Sequence, residues 1–186
     1  QVGLVLDELD RLGLRKNTII ILWGDHGWKL GEHDAWCKHS NCENDANAPL
    51  IFSVPGMKNA GAHTDALVEF VDIYPTLSEL AGLPLPGHLE GTSMKPLLDD
   101  PKRPWKSAAF SQYPRPKNMM GYSIRTDQYR YTAWIDQKTK EVKFRELYDL
   151  KNDPLCKESI VFKPENEKLV AQLQEMLTSG WKDAKP

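Results

Sequence analysis

The sequence lacks the features that mark several classes of protein. Three cysteines among 186 residues do not encode a disulfide framework, although Cys37 and Cys42 could pair with each other. No apolar run approaches the roughly 18 residues of a membrane-spanning helix, and the first residues do not resemble a secretory signal. The net charge of -2 gives no general attraction to nucleic acid or to an anionic membrane. We therefore expect neither as a partner, and the composition does not indicate the compartment.

The N-terminal part has the pattern of an α/β fold. Apolar residues with helical spacing precede Gly13, which suits a helix end, but no capping residue stands before them. We therefore expect the chain to begin inside a helix and to be a fragment. Residues 18–23 predict a strand. Positions 19–23 are all apolar, which is typical of a central strand of a parallel sheet with both faces buried. Residues 50–54 form a second, weaker strand candidate.

The segment of about 25 residues between these strands has no clear periodicity and is rich in His and Trp. Such a long loop in a compact domain is usually functional or disordered. In open α/β sheets, ligands bind beyond the carboxyl ends of strands. Asp25 and His26 follow the first strand directly, and Gly24 and Gly27 allow the backbone to turn around them. The alternative is that Asp25 caps a turn and His26 is an ordinary surface residue.

A second alternative for this loop is a structural zinc module. Four zinc-type ligands fall within ten residues: His33, Cys37, His39 and Cys42. Their spacing is not that of a familiar zinc finger. A disulfide between the two cysteines is the competing interpretation if the protein is exported.

The pattern changes after about residue 105. Four short strands are predicted at residues 108–112, 122–125, 129–134 and 142–148. Residues 165–181 predict a final amphipathic helix, and residues 73–81 predict an earlier one that contains Pro75 and is followed by Gly82. The inward positions of the final helix are Leu169, Leu173, Met176 and Leu177. We predict two domains, residues 1–104 and residues 105–186.

Several motifs resemble the sulfatases of the alkaline-phosphatase-like superfamily. "GDHG", "GEH" and then Lys38 follow the first strand, and further matches continue in order through "APLIFSVPG", "LEGTSMKPLL" and "ELYDLKNDP". "SQYPRP" and "MGYSIRTDQYRYTAW" resemble the iduronate-2-sulfatase type. The resemblance implies an α/β fold: the C-terminal part of the large sulfatase domain, followed by a small antiparallel sheet with a helix. It also implies an exported protein.

The resemblance further implies site residues. Sulfatases of this type bind one divalent cation, usually Ca²⁺, and Asp25 and His26 fall on two of its ligands. Calcium prefers oxygen, which favours Asp25, and His26 could instead only hydrogen-bond beside the site. Lys38 falls on the lysine that contacts the substrate sulfate during catalysis. Trp28 falls on an aromatic residue of the sugar pocket, although simple loop packing would also explain it.

The resemblance implies a nucleophile that the chain does not contain. The family uses a formylglycine made from cysteine or serine in a signature such as Cys-x-Pro-Ser-Arg, and the three cysteines here match no such signature. The early acidic pair of the metal site is also missing. We therefore expect an N-terminal portion of the same sulfatase as partner, and an isolated chain without activity.

The expected substrate is a sulfated carbohydrate, first a uronate 2-O-sulfate and second another sulfated sugar. Arg115 and Lys117 are candidates to bind its carboxylate or adjacent sulfates. Only three residues separate "YPRP" from "MGYS", whereas related human-type enzymes have a longer segment. A phosphodiesterase or phosphatase of the same superfamily, with two zinc ions, is the alternative enzyme.

Overall fold

The computed structural model describes residues 1–186. The α-helices are Val2–Arg11 (α1), Glu43–Ala46 (α2), Ile73–Leu80 (α3), Lys95–Asp99 (α4) and Glu167–Ser179 (α5). The strands are Ile20–Trp23 (β1), Lys29–Leu30 (β2), Trp36–Cys37 (β3), Leu50–Ser53 (β4), Ala109–Arg115 (β5), Met119–Arg125 (β6), Tyr129–Asp136 (β7) and Val142–Asp149 (β8). No helix is long and apolar enough to cross a membrane.

The two N-terminal strands pair with each other. β1 and β4 are antiparallel, with Leu22 opposite Ile51. These two side chains are 44% and 56% exposed, so β1 is not buried on both faces within this chain. A continuous apolar run indicates an interior strand without specifying the direction of its neighbour. The strands at these positions are confirmed, whereas the expected burial of β1 on both faces is not seen within this chain.

The C-terminal part is a four-stranded antiparallel sheet in the order β5-β6-β7-β8, covered on one face by α5. Its core contains Ile124, Tyr131 and Leu147 from the sheet and Leu173 from the helix. The other three predicted inward residues of α5 pack against the same core. This confirms the predicted antiparallel sheet with its helix, which short strand-forming segments separated by turns and a helical apolar stripe indicated.

A buried ion cluster joins the segment before α3 to the segment before β5. Lys106 Nζ lies 2.7 Å from Glu69 Oε2 and 2.7 Å from Asp72 Oδ2. Glu69 Oε1 also accepts a hydrogen bond from the backbone amide of Phe110 at 2.9 Å. These contacts tie the two halves together across residue 104, where the proposed domain boundary remains a prediction.

Candidate active site

The Asp25–His26 segment is held against α2 by its flanking glycines. The Gly24 amide donates to the Pro49 carbonyl at 3.0 Å, and the Gly27 amide donates to the Asp45 carbonyl at 2.8 Å. A Cβ at position 27 would lie 1.7 Å from the carbonyl oxygen of Asn44. Only glycine therefore allows this approach, which fixes where the acid and the histidine lie.

Asp25 and His26 face each other. His26 Nε2 lies 3.2 Å from Asp25 Oδ2, and the Asp25 side chain is 80% exposed. His26 Nδ1 lies 2.6 Å from the Gly27 carbonyl, which can only accept, so Nδ1 carries the hydrogen. In the neutral ring Nε2 is then a free acceptor that faces a carboxylate oxygen. A carboxylate oxygen and an imidazole nitrogen are both donor types that bind cations.

An open cleft of about 1180 Å³ is lined by both residues. Its lining also includes Glu43 from α2 and the arginines Arg125 and Arg130 from the sheet. The cleft therefore presents acidic and basic groups side by side, and it has the size of a small-molecule site.

The other two loop candidates flank the β2–β3 ribbon. Lys29 is paired with Cys37 and Leu30 with Trp36, so Trp28 directly precedes β2 and Lys38 directly follows β3. The exposed Trp28 ring stacks on His26, with centroids 6.1 Å apart and planes inclined by 26°. This stacking connects Trp28 to the Asp25–His26 pair. Neither Trp28 nor Lys38 is among the residues that line the cleft.

The two lysines of the loop have different surroundings. Lys38 is half-buried and forms no ion pair. Lys29 is 1% exposed and is paired with Asp45, which is also buried. The Lys29 ammonium donates to Ser40 Oγ at 3.1 Å as well. The sequence analysis missed this cluster, because no motif or spacing relates Lys29 to an acid sixteen positions later.

The loop is anchored on the sheet face opposite α5. Asn41 Nδ2 donates to the Gly121 carbonyl at 2.9 Å, and Ser111 Oγ donates to Asn41 Oδ1 at 3.1 Å. Glu43 forms an ion pair with Arg130 at 2.6 Å. Because Asn41 and Arg130 are buried, these contacts hold the loop in one position. They were also missed, since each joins residues at least 70 positions apart.

Arg115 is exposed and lines a pocket separate from the cleft at Asp25 and His26, and Lys117 lies at the exposed turn that follows β5. The Arg115 guanidinium lies over the rings of Tyr113 and Trp134, 5.4 and 5.6 Å from their centroids. The Tyr113 hydroxyl lies 2.7 Å from Nδ1 of His39, the neighbour of Lys38. Lys117 is exposed with a φ of 63°, and no contact brings it to the loop.

The structure does not assemble the zinc alternative. Nowhere in residues 1–186 do three or more His, Cys, Asp or Glu residues form a group that could hold a metal ion. His33 lies edge-on to Tyr148, whereas His39 contacts Tyr113. The possible Cys37–Cys42 disulfide is also absent, since all three cysteines are free. Cys37 is exposed on β3, whereas burial raises the pKa of the Cys42 thiol at the start of α2.

Comparison with known proteins gives the family. Residues 31–183 match the family model described as "N-sulphoglucosamine sulphohydrolase, C-terminal". Iduronate 2-sulfatase from Mus musculus is 35% identical to this chain. The alignment covers 83% of this chain and 40% of the mouse protein.

Two solved structures are similar over nearly the whole chain. One, in complex with its substrate D-glucosamine-2-N,6-O-disulfate, has a TM-score of 0.86 and 30% identity, covering 96% of this chain and 37% of that one. The other, a 2-O GAG sulfatase, has a TM-score of 0.80 and 28% identity, covering 94% and 38%. The chain thus spans about two fifths of the length of these relatives. The family model begins after Asp25, His26 and Trp28. Together these matches show that the chain belongs to the sulfatase family and corresponds to its C-terminal region.

Proposed function

We propose that this chain supplies one half of the active site of a carbohydrate sulfatase, in which Lys38 binds the ester sulfate. The observation that carries the proposal is a half-buried lysine without an ion-pair partner, in the same loop as the Asp25–His26 pair and directly after β3. Trp28 in turn stacks on His26 beside Asp25. A cation, an aromatic face and a pair of metal-type donors are the groups that recognise a sulfated sugar.

Asp25 and His26 are proposed ligands of Ca²⁺. The cation would supply electrostatic stabilisation to an anionic ester. Calcium takes about 6–8 ligands, most of them oxygens, so two donors are only part of a coordination shell. The remaining ligands and the formylglycine nucleophile are proposed to belong to an N-terminal portion of the same sulfatase.

In this proposal Lys38 stabilises negative charge and does not transfer a proton. Its ammonium supplies three hydrogen-bond donors to sulfate oxygens. The same positive charge stabilises the charge that develops on the leaving oxygen as the ester bond breaks. Because no carboxylate neutralises Lys38 within the chain, its charge is available to a substrate.

The proposed substrate is a uronate 2-O-sulfate, in an exported protein. Arg115, whose guanidinium lies over the rings of Tyr113 and Trp134, is suited to bind a carboxylate, and Lys117 lies two residues later on an exposed turn. The similarity to an iduronate 2-sulfatase and to a 2-O GAG sulfatase supports this substrate. The relative that binds a 2-N,6-O-disulfate supports the second candidate, a sulfated hexosamine.

The test is sulfate release by the full-length protein that carries this chain. We expect release from an unsaturated disaccharide sulfated at the uronate 2-position, and little from the same disaccharide sulfated only at the hexosamine 6-position. A phosphate monoester is the control for the alternative chemistry. Preferred hydrolysis of the 6-sulfate would replace the substrate, and preferred hydrolysis of the phosphate ester would contradict the sulfatase assignment.

A further inference from the structure

A buried polar cluster lies within the loop that carries the proposed site. It consists of Lys29, Asp45 and Ser40, and the Lys29 and Asp45 side chains are 1% and 4% exposed. Asp45 Oδ2 accepts hydrogen bonds from both the Lys29 ammonium and the Ser40 hydroxyl. The Ser40 hydroxyl in turn accepts the backbone amide of Cys42 at 3.1 Å.

Stability alone is a poor explanation for this cluster. Removing two charges from water costs several kcal/mol per ion, and replacing a buried ion pair by apolar groups is often neutral or stabilising. The second carboxylate oxygen of Asp45, Oδ1, is buried without a hydrogen-bond partner. Such a cluster is incompletely satisfied, so its contacts explain the position of the loop better than they explain the stability of the fold.

The contacts of Asp45 reach both segments of the proposed site. Its backbone carbonyl accepts the Gly27 amide, next to His26. Its carboxylate holds Lys29, next to Trp28, and Ser40, two positions after Lys38. One residue therefore links the cation segment to the sulfate-binding segment.

We infer that Lys29, Ser40 and Asp45 are positioning residues that set the distance between Lys38 and the Asp25–His26 pair. The inference deepens the proposed function and rests on it. Lys29 and Ser40 are not among the residues that line the cleft, and the Asp45 side chain in its lining is only 4% exposed. They act through backbone positions, and small displacements of a charge-stabilising group cost up to about 100-fold in rate.

The test compares two charge-neutral double variants of the full-length protein, Lys29→Met with Asp45→Asn, and Lys143→Met with Glu141→Gln. The second pair removes an exposed ion pair next to the β7–β8 turn. We expect the first double variant to unfold at a temperature near that of the wild type, since no unpaired buried charge remains. Its kcat/KM for the sulfate ester should nevertheless fall by at least tenfold, mainly in kcat. The control should keep both values.

A second readout on the same variants does not depend on activity. Amide hydrogen exchange at Gly27 and Cys42 should be faster in the Lys29→Met/Asp45→Asn variant, whereas exchange at Ile124 in the core should not change. A stable double variant with wild-type exchange at these two amides would overturn the inference, even if the protein hydrolysed no sulfate ester and the proposed function had failed. Wild-type kcat/KM in that variant would overturn it as well.

If the double variant does not fold, Ser40→Ala replaces it. This change removes the hydroxyl that connects Asp45 to the Cys42 amide and leaves both charges paired. We expect a folded protein with faster exchange at Cys42 and a lower kcat. Unchanged exchange and unchanged kcat would contradict the positioning role.

Discussion

At the scale of single residues, the surroundings of each side chain determine the chemistry available to it. The two lysines of the loop are nine positions apart. Lys29 is buried and neutralised by Asp45, whereas Lys38 is half-buried and has no ion-pair partner. The three cysteines differ in the same way, since Cys37 is exposed and Cys156 is buried.

The cysteines give a direct residue-scale prediction. At pH 8 we expect Cys37 to react with iodoacetamide much faster than Cys156. Burial raises the pKa of the Cys156 thiol to about 12, so almost none of it is thiolate at that pH. Mass spectrometry of peptides after timed labelling measures both rates. Comparable labelling of the two thiols in the folded protein would show that Cys156 is not enclosed as described.

The Asp25–His26 pair gives a second prediction. The chain by itself should bind Ca²⁺ more weakly than micromolar, because two donors are a small part of the roughly 6–8 ligands that calcium takes. Asp25→Asn should remove the remaining affinity, and Asp127→Asn, which also changes a residue of the cleft lining, should not. Isothermal titration calorimetry provides the measurement. Micromolar or tighter binding to the wild-type chain would contradict an incomplete site.

Sequence patterns indicate some residues of the candidate site and not others. Asp25 and His26 could be proposed as site residues because they directly follow a strand, and their role as ligands stays a prediction. The roles of Lys38 and Trp28 were expected only from the resemblance, since a lysine or tryptophan in a loop has no distinguishing pattern. The Lys29–Asp45 pair could not be found, because an ion pair between two loops depends on tertiary packing and leaves no periodic signal.

At the scale of elements, the loop depends on close backbone contacts with α2 and with the antiparallel sheet. The hairpin strands and α5 were predictable from alternation and helical periodicity. The antiparallel pairing of β1 and β4 was not, since an apolar run does not encode the direction of its neighbour. The hydrogen bond from Asn41 to the Gly121 carbonyl was not predictable either, because it joins residues 80 positions apart.

Gly27 provides the element-scale prediction. Gly27→Ala should destabilise the fold by at least about 2 kcal/mol, because its Cβ would overlap the Asn44 carbonyl and the backbone would have to shift. Gly87→Ala is the matched control, since nothing lies within 4 Å of a Cβ at that position. Urea unfolding measures both changes. Equal midpoints for the two variants would show that the loop does not lie against α2.

At the scale of the whole molecule, the chain exposes apolar surface beside its proposed site. Leu22 and Ile51 lie opposite each other on one face of the β1–β4 pair, and both are exposed. The domain boundary at residue 104 stays a prediction, and the Lys106 cluster joins its two sides. The apolar face and the incomplete cation site support the proposal that another part of a sulfatase covers this region.

The exposed face predicts self-association of the isolated chain. Light scattering should show oligomers at micromolar concentration, and Leu22→Lys combined with Ile51→Lys should reduce them by removing apolar contact area. Phe162→Lys, which changes an exposed aromatic residue outside the β1–β4 pair, should have a smaller effect. A wild-type chain that remains monomeric would contradict the prediction.

The central claim is that Lys38 binds the sulfate of the substrate, and a comparison of two lysine variants tests it most directly. Lys38→Ala and the exposed control Lys138→Ala would be made in the full-length protein, and sulfate release from a 2-O-sulfated uronate disaccharide would be measured at saturating substrate. Removing one charge-stabilising donor typically costs about 10²–10³ in kcat. We predict a loss of that size for Lys38→Ala with an unchanged unfolding midpoint, and wild-type turnover for Lys138→Ala. Wild-type turnover in the Lys38→Ala protein would contradict the account.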